Sequence, residues 1–134
     1  MVKLDIVCAG NAELVQQQPL VAVFVGGTSG IGEYTIQALA ATHGTSGRGL
    51  RIYLVGRNAG EAERIFSGCR KECPSGQFVF VKATDLSLLK DVDRCCAEIS
   101  KLEENEESAD NGPVRVDILV MTHAILHFGP RMGE

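Results

Sequence analysis

A run of apolar residues, Leu20 to Val25, leads straight into the glycine-punctuated segment Gly26-Gly27-Thr28-Ser29-Gly30-Ile31-Gly32. Similar runs stand at Leu50 to Val55, interrupted by Arg51, at Phe78 to Val81, and at Val116 to Met121, with Asp117 inside it. Near-continuous hydrophobicity predicts strands covered on both faces, as in a parallel sheet, rather than one-sided strands with strict alternation. Between these runs the period changes to that of a helix. Ile31, Ile36, Leu39 and Ala40 fall on or near one helical face, and Gly44 ends that helix near residue 43. The segment His43 to Gly49 is expected to be a flexible turn. Asn58 is placed to cap the next helix, with Glu61 at the capping-box position and Ala62, Ile65, Phe66 and Cys69 behind it. Pro74, Ser75 and Gly76 break that helix. Ser87 is the expected cap of the following one, whose stripe is Leu88, Leu89, Val92, Cys95, Cys96 and Ile99. Leu4, Val7, Leu14 and Val15 predict a peripheral N-terminal helix, closed by Pro19.

Strands alternating with helices imply right-handed βαβ crossovers. The expected fold is α/β, a Rossmann-type doubly wound parallel sheet in the order 3-2-1-4, truncated after the fourth strand. Residues 1–19 form an N-terminal extension. Residues 20–134 form a partial nucleotide-binding domain, with the site where the strand order reverses.

Composition narrows the function. The 134 residues carry a net charge of −4, which gives no basic footprint for nucleic acid. No apolar run approaches the roughly 20 residues a membrane helix requires, and Asp5 and Asn11 spoil the N-terminus as a secretory signal. Cys8, Cys69, Cys73, Cys95 and Cys96 are odd in number and match no common zinc spacing. Buried or idle thiols of a cytoplasmic protein are expected. His123 and His127 stand four apart, but Gly129 and Pro130 follow at once and no accompanying glutamate marks a metal motif. Glu103, Glu104, Glu106, Glu107 and Asp110 are expected to be a solvated helix end and loop.

The glycine segment carries the chemistry. Strand, turn and helix stand in the order a dinucleotide needs, so that its pyrophosphate meets bare amides at a helix N-terminus. A Cβ at Gly26, Gly30 or Gly32 would hold phosphates off or block the turn.

With these elements placed, the chain resembles the N-terminal half of the short-chain dehydrogenase/reductase family. Val25-Gly26-Gly27-Thr28-Ser29-Gly30-Ile31-Gly32 is similar to its first motif, T-G-x-x-x-G-x-G, with Val for Thr. The resemblance implies cofactor contacts from Gly26, Thr28, Ser29, Gly30, Ile31 and Gly32. It also implies that Asp85 and Leu86, after the third strand, hold the adenine ring. Asp117-Ile118-Leu119-Val120 resembles the strand leading to the family's N-N-A-G motif, which here reads Met121-Thr122-His123-Ala124. Without N-N-A-G, the pattern is similar to short-chain reductases of fungal natural-product pathways.

At the end of the second strand, NAD-binding folds place a carboxylate for the ribose hydroxyls. This chain has Gly56, Arg57 and Asn58. A 2′-phosphate could there meet the Arg57 guanidinium in a charge-assisted pair, so NADP(H) is the expected cofactor, with Arg57 and Asn58 among its contacts.

The family's Ser, Tyr and Lys, which polarise the carbonyl and deliver the proton, have no counterpart here, because no Y-x-x-x-K occurs in the chain. Tyr53 and Arg57 match the spacing only formally. On a strand their Cα atoms stand roughly 13 Å apart, against about 6 Å on a helix. Tyr34 has Ala38 four residues on. No catalytic residue and no metal ligand is assigned.

Two functions remain open. One is an NADP(H)-dependent oxidoreductase acting on a ketone or alcohol, in secondary-metabolite biosynthesis, represented by its cofactor-binding half. The other is a non-catalytic nucleotide-binding or interaction module. The exposed edge of an apolar fourth strand is expected to favour self-association in either case.

Overall fold

The computed structural model describes residues 1–106 and 114–123. The N-terminal helix α1 spans Leu4–Gln17 and is followed by β1 (Leu20–Val25), α2 (Gly30–His43) and β2 (Leu50–Gly56). The chain continues through α3 (Ala59–Glu72), β3 (Gln77–Lys82), α4 (Leu89–Asn105) and β4 (Ile118–Met121). The four strands form one parallel sheet in the order β3-β2-β1-β4, as the alternation of runs predicts.

The continuous apolar strands are explained by two helical layers. Ala22, Phe24, Ile52 and Leu54 pack on one face with Ile36 and Ala40 of α2 and Ala62, Ile65, Phe66 and Cys69 of α3. Val21, Val23, Tyr53, Val55 and Val81 face the other way, against Cys95 and Ile99 of α4. Successive residues along β1, β2 and β3 therefore serve opposite cores, which leaves little place for polar alternation.

Several expectations need correction. Ile31 is 76% exposed at the start of α2, so the buried face of that helix begins at Gly32 and continues through Ile36 and Ala40. Leu88 and Leu89 are exposed as well, and α4 buries Asp91, Cys95 and Ile99 instead. Cys96 lies on its solvent side. Ser87 does not cap α4. Its amide and hydroxyl both donate to Asp85 Oδ1, at 3.0 and 2.6 Å, and Leu88 occupies the cap position. Of the apolar positions assigned to α1, only Val15 is buried.

Glu103 is not a solvated helix end. It is nearly buried, ion-paired with Arg51 and accepting a hydrogen bond from Tyr53. Burial, with that bond to Glu103, raises the Tyr53 pKa and ties the phenol into the fold. Glu107, Asp110 and His127 lie outside the described residues.

His43 is fully buried at the end of α2 rather than part of a flexible turn. Its Nε2 accepts from the Gly49 amide at 3.0 Å, and Nδ1 lies 3.0 Å from the Gly44 carbonyl and 3.2 Å from Cys73 Sγ. A proton on Nδ1 satisfies that arrangement. Burial pushes the Cys69 thiol up to about 11, so it is inert as a nucleophile. Among the described residues no group of three or more His, Cys, Asp and Glu side chains is arranged to hold a metal.

Candidate nucleotide-binding site

Parallel strands end together, and here the ends of all four meet along one edge of the sheet. Val25, Val55 and Val81 are in register across β1, β2 and β3, and Met121 of β4 pairs with Val25. The ladder continues past the strand ends. The Gly26 amide donates to Val55 O (3.0 Å), Ala83 N to Gly56 O (2.8 Å) and Thr122 N to Val25 O (2.9 Å). Three sequence-assigned segments, 26–32, 57–58 and 85–86, thus share this edge, where β1 stands between its two crossover directions. The apolar groove lined by Leu14, Leu39 and Ile118 includes none of these residues.

The glycines of the turn differ in what they require. Gly26 has φ +85°, and a Cβ there would lie 2.7 Å from both the backbone nitrogen and the Cβ of His123. Gly32 sits so close to the turn that its Cβ would meet the Gly27 Cα at 2.6 Å and Thr122 Oγ1 at 2.8 Å. At these two positions a side chain would collide with protein before it could obstruct a ligand, so the turn itself requires these glycines. Gly30 meets no such obstacle within the protein. Its φ is +60°, and no atom lies within 4 Å of where its Cβ would be.

Ser29 and Gly30 are exposed, and Thr28 is half-buried, with Cγ2 beside Gly56. No side chain caps the start of α2 at Ser29, so the first turn of that helix points its amides outward without a side-chain acceptor.

At the end of β2, Arg57 is exposed and has no salt bridge among the described residues. Asn58 Oδ1 accepts the Glu61 amide at 3.1 Å and caps α3, as its sequence context predicts. Its oxygen is therefore engaged before any ligand arrives. Asp85 is held through Ser87, whose hydroxyl and then amide keep the Asp85 carboxyl below the usual range, with Arg57 adding a weaker pull. Leu86 packs partly against the α4-side core.

Two contacts at this edge escaped the sequence reading. Thr122 Oγ1 donates to the Gly26 carbonyl at 2.9 Å, binding the end of β4 to the glycine turn where N-N-A-G would stand. Asp91, 7% exposed, accepts from the Thr84 and Asp85 amides at 2.7 and 2.8 Å through Oδ2. Its other oxygen pairs with Arg94. The one available signal for Asp91 was an acidic residue in the first turn of a helix, where carboxylates are favoured. Tyr53 and Arg57 do not form a pair. The tyrosine is buried against Glu103 and the arginine lies exposed beyond the strand end.

No protein-family profile matches the chain. It is 46% identical over 125 residues to a short-chain dehydrogenase/reductase of Stachybotrys chartarum, a match covering 93% of this chain and 35% of that protein. It is also 45% identical over 80 residues to an oxidoreductase of Emericella variicolor, covering 60% of this chain and 22% of that one. The chain thus spans about a third or less of the length of these curated relatives. Among solved structures, an NADH-dependent reductase complexed with NAD shares the fold at a TM-score of 0.56 and 18% identity, over 83% of this chain and 37% of the other. No helix among the described residues is long and apolar enough to cross a membrane. Sequence and fold together identify the chain as a relative of the short-chain dehydrogenase/reductases, matched over a part of their length.

Proposed function

We propose that the chain is the NADP(H)-binding portion of an oxidoreductase that interconverts a ketone and an alcohol in the cytoplasm, of the kind used in fungal secondary metabolism. The observation that carries this reading is the turn at Gly30. A left-handed residue with open space around it stands at the uncapped start of α2, beside the strand-order reversal. A diphosphate fits there, because the free amides and the helix dipole both favour an anion.

In this reading the amides of Ser29, Gly30 and Ile31 hold the pyrophosphate, while Gly26, Thr28 and Gly32 shape the turn. Arg57 meets the 2′-phosphate, with Asn58 beside it, and Asp85 and Leu86 border the adenine. The bound nicotinamide would exchange a hydride with the substrate carbon. The chain's own part is to orient that group and to select its phosphorylated form.

The second reading, a binding module without turnover, is favoured by the tyrosines. Tyr53 is buried and bonded to Glu103, while Tyr34 stands on the solvent side of α2 with no lysine four residues on. Neither reading expects the chain by itself to consume NADPH against a panel of ketones; the two part in a longer polypeptide that contains it, where only an oxidoreductase would do so.

The cofactor claim is tested by fluorescence titration of the purified chain with NADPH and NADH. Arg57→Asp should weaken NADPH about tenfold or more and spare NADH, since a charge-assisted pair is worth roughly 1.5–3 kcal/mol. Equal losses for the two coenzymes would refute the assignment of Arg57.

A further inference from the structure

Asp91 is one of two buried polar or charged residues among those described, and the proposed chemistry makes no direct use of it. An acidic residue in the first turn of a helix ordinarily serves that helix, by facing its own free amides. Asp91 instead reaches back across the preceding loop. Both bonds of Oδ2 go to the amides of Thr84 and Asp85, while Leu88, at the start of α4, makes no side-chain cap. Oδ1 meets Arg94 Nε at 2.9 Å, and Arg94 in turn donates to the Lys82 carbonyl at 2.6 Å. A carboxylate withdrawn from water needs several donors, and here three are provided. Two of them belong to the segment that ends in Asp85 and Leu86.

That segment is also fixed on its other side, where the Ala83 amide donates to Gly56 O at 2.8 Å. Residues 83–86 are therefore clamped between the end of β2, from which Arg57 emerges, and the carboxylate of Asp91. We propose that Asp91 is a positioning residue for the adenosine half of the nucleotide, holding the Asp85–Leu86 segment in place through the amides of Thr84 and Asp85. This inference rests on the nucleotide-binding reading above. It adds a residue that touches no ligand and acts through a loop.

The experiment compares the unmodified 134-residue chain with Asp91→Ala, Asp91→Asn and the control Asp93→Ala, an exposed neighbour on the same helix. Probes are adenosine 2′,5′-bisphosphate and NADPH, titrated by calorimetry at a temperature where circular dichroism shows each variant folded. Asp91→Ala should raise the Kd for both probes about tenfold, the weight of a lost pair of charge-assisted hydrogen bonds. Asp91→Asn, which keeps an acceptor oxygen of the same shape, should fall between, and Asp93→Ala should match the parent. Backbone amide exchange in the ligand-free proteins should accelerate at Thr84 and Asp85 in both Asp91 variants.

If Asp91 serves stability alone, its variants will melt earlier while their folded fraction binds within about twofold of the parent. That result overturns the inference and leaves nucleotide binding intact. Should Asp91→Ala not fold, Asp91→Asn decides the matter by the same criterion. If the unmodified chain takes up neither probe, the nucleotide reading itself fails and this inference falls with it.

Discussion

A side chain at position 26 would have to share space with His123 on a residue whose φ is already +85°. Gly26→Ala therefore combines backbone strain, of order 1–3 kcal/mol, with a steric collision that backbone atoms cannot easily relieve. We expect a loss of at least that size in the urea-unfolding free energy of the chain, and an unchanged midpoint would contradict the geometry. Thr122 offers a milder test of the same junction. Thr122→Val preserves shape while deleting the hydrogen bond to the Gly26 carbonyl, so about 1 kcal/mol should be lost, with Thr122→Ser recovering most of it. Spacing alone made the glycine turn readable, because strand, glycines and helix follow one another in the chain. Thr122 was not readable in this role. Its partner lies 96 positions away, and only the pairing of β4 with β1 brings them together.

Helices show the same division between local and distant causes. The capping of α3 by Asn58 was legible because donor and acceptor are three residues apart. At α4 the local signal misled, since Asp85 captured Ser87 before it could cap, and the expected apolar stripe began at Leu88, one residue outside the helix proper. Asp91 has a consequence for pH dependence at this level. The Asp85 amide, followed by Arg94, holds its carboxyl below the usual carboxylate range. The unfolded chain therefore takes up the proton first on acidification. The stability Asp91 contributes is complete above the ordinary carboxylate pKa and drains away as pH falls through the lowered folded value. The stability gap between the parent and Asp91→Asn, measured by urea melts from neutral pH down to about pH 3, should narrow with acidification. A gap that stays constant would assign the effect to packing.

At the scale of the molecule, the two helical layers were legible because the strands read as nearly continuous apolar runs, Arg51 apart, as a sheet covered on both faces requires, and the strand order because helices alternate with those runs. Cover is incomplete at β4. Leu119 and Met121, in register with Val23 and Val25 on the α4 side, remain 61% and 63% exposed. The strand has no partner along its outer edge among the described residues. Such an edge invites pairing, so we expect concentration-dependent association of the chain by light scattering, reduced by Leu119→Lys. A parent that stays monomeric at every concentration would dismiss this. The clasp between Thr122, His123 and Gly26 has one more implication, for the moment of synthesis. Because β4 leaves the ribosome after the loop that it helps to lock, made nearly a hundred residues earlier, the emerging polypeptide should gain affinity for coenzyme only once β4 has paired with β1. Ligand capture would then report that β4 has docked.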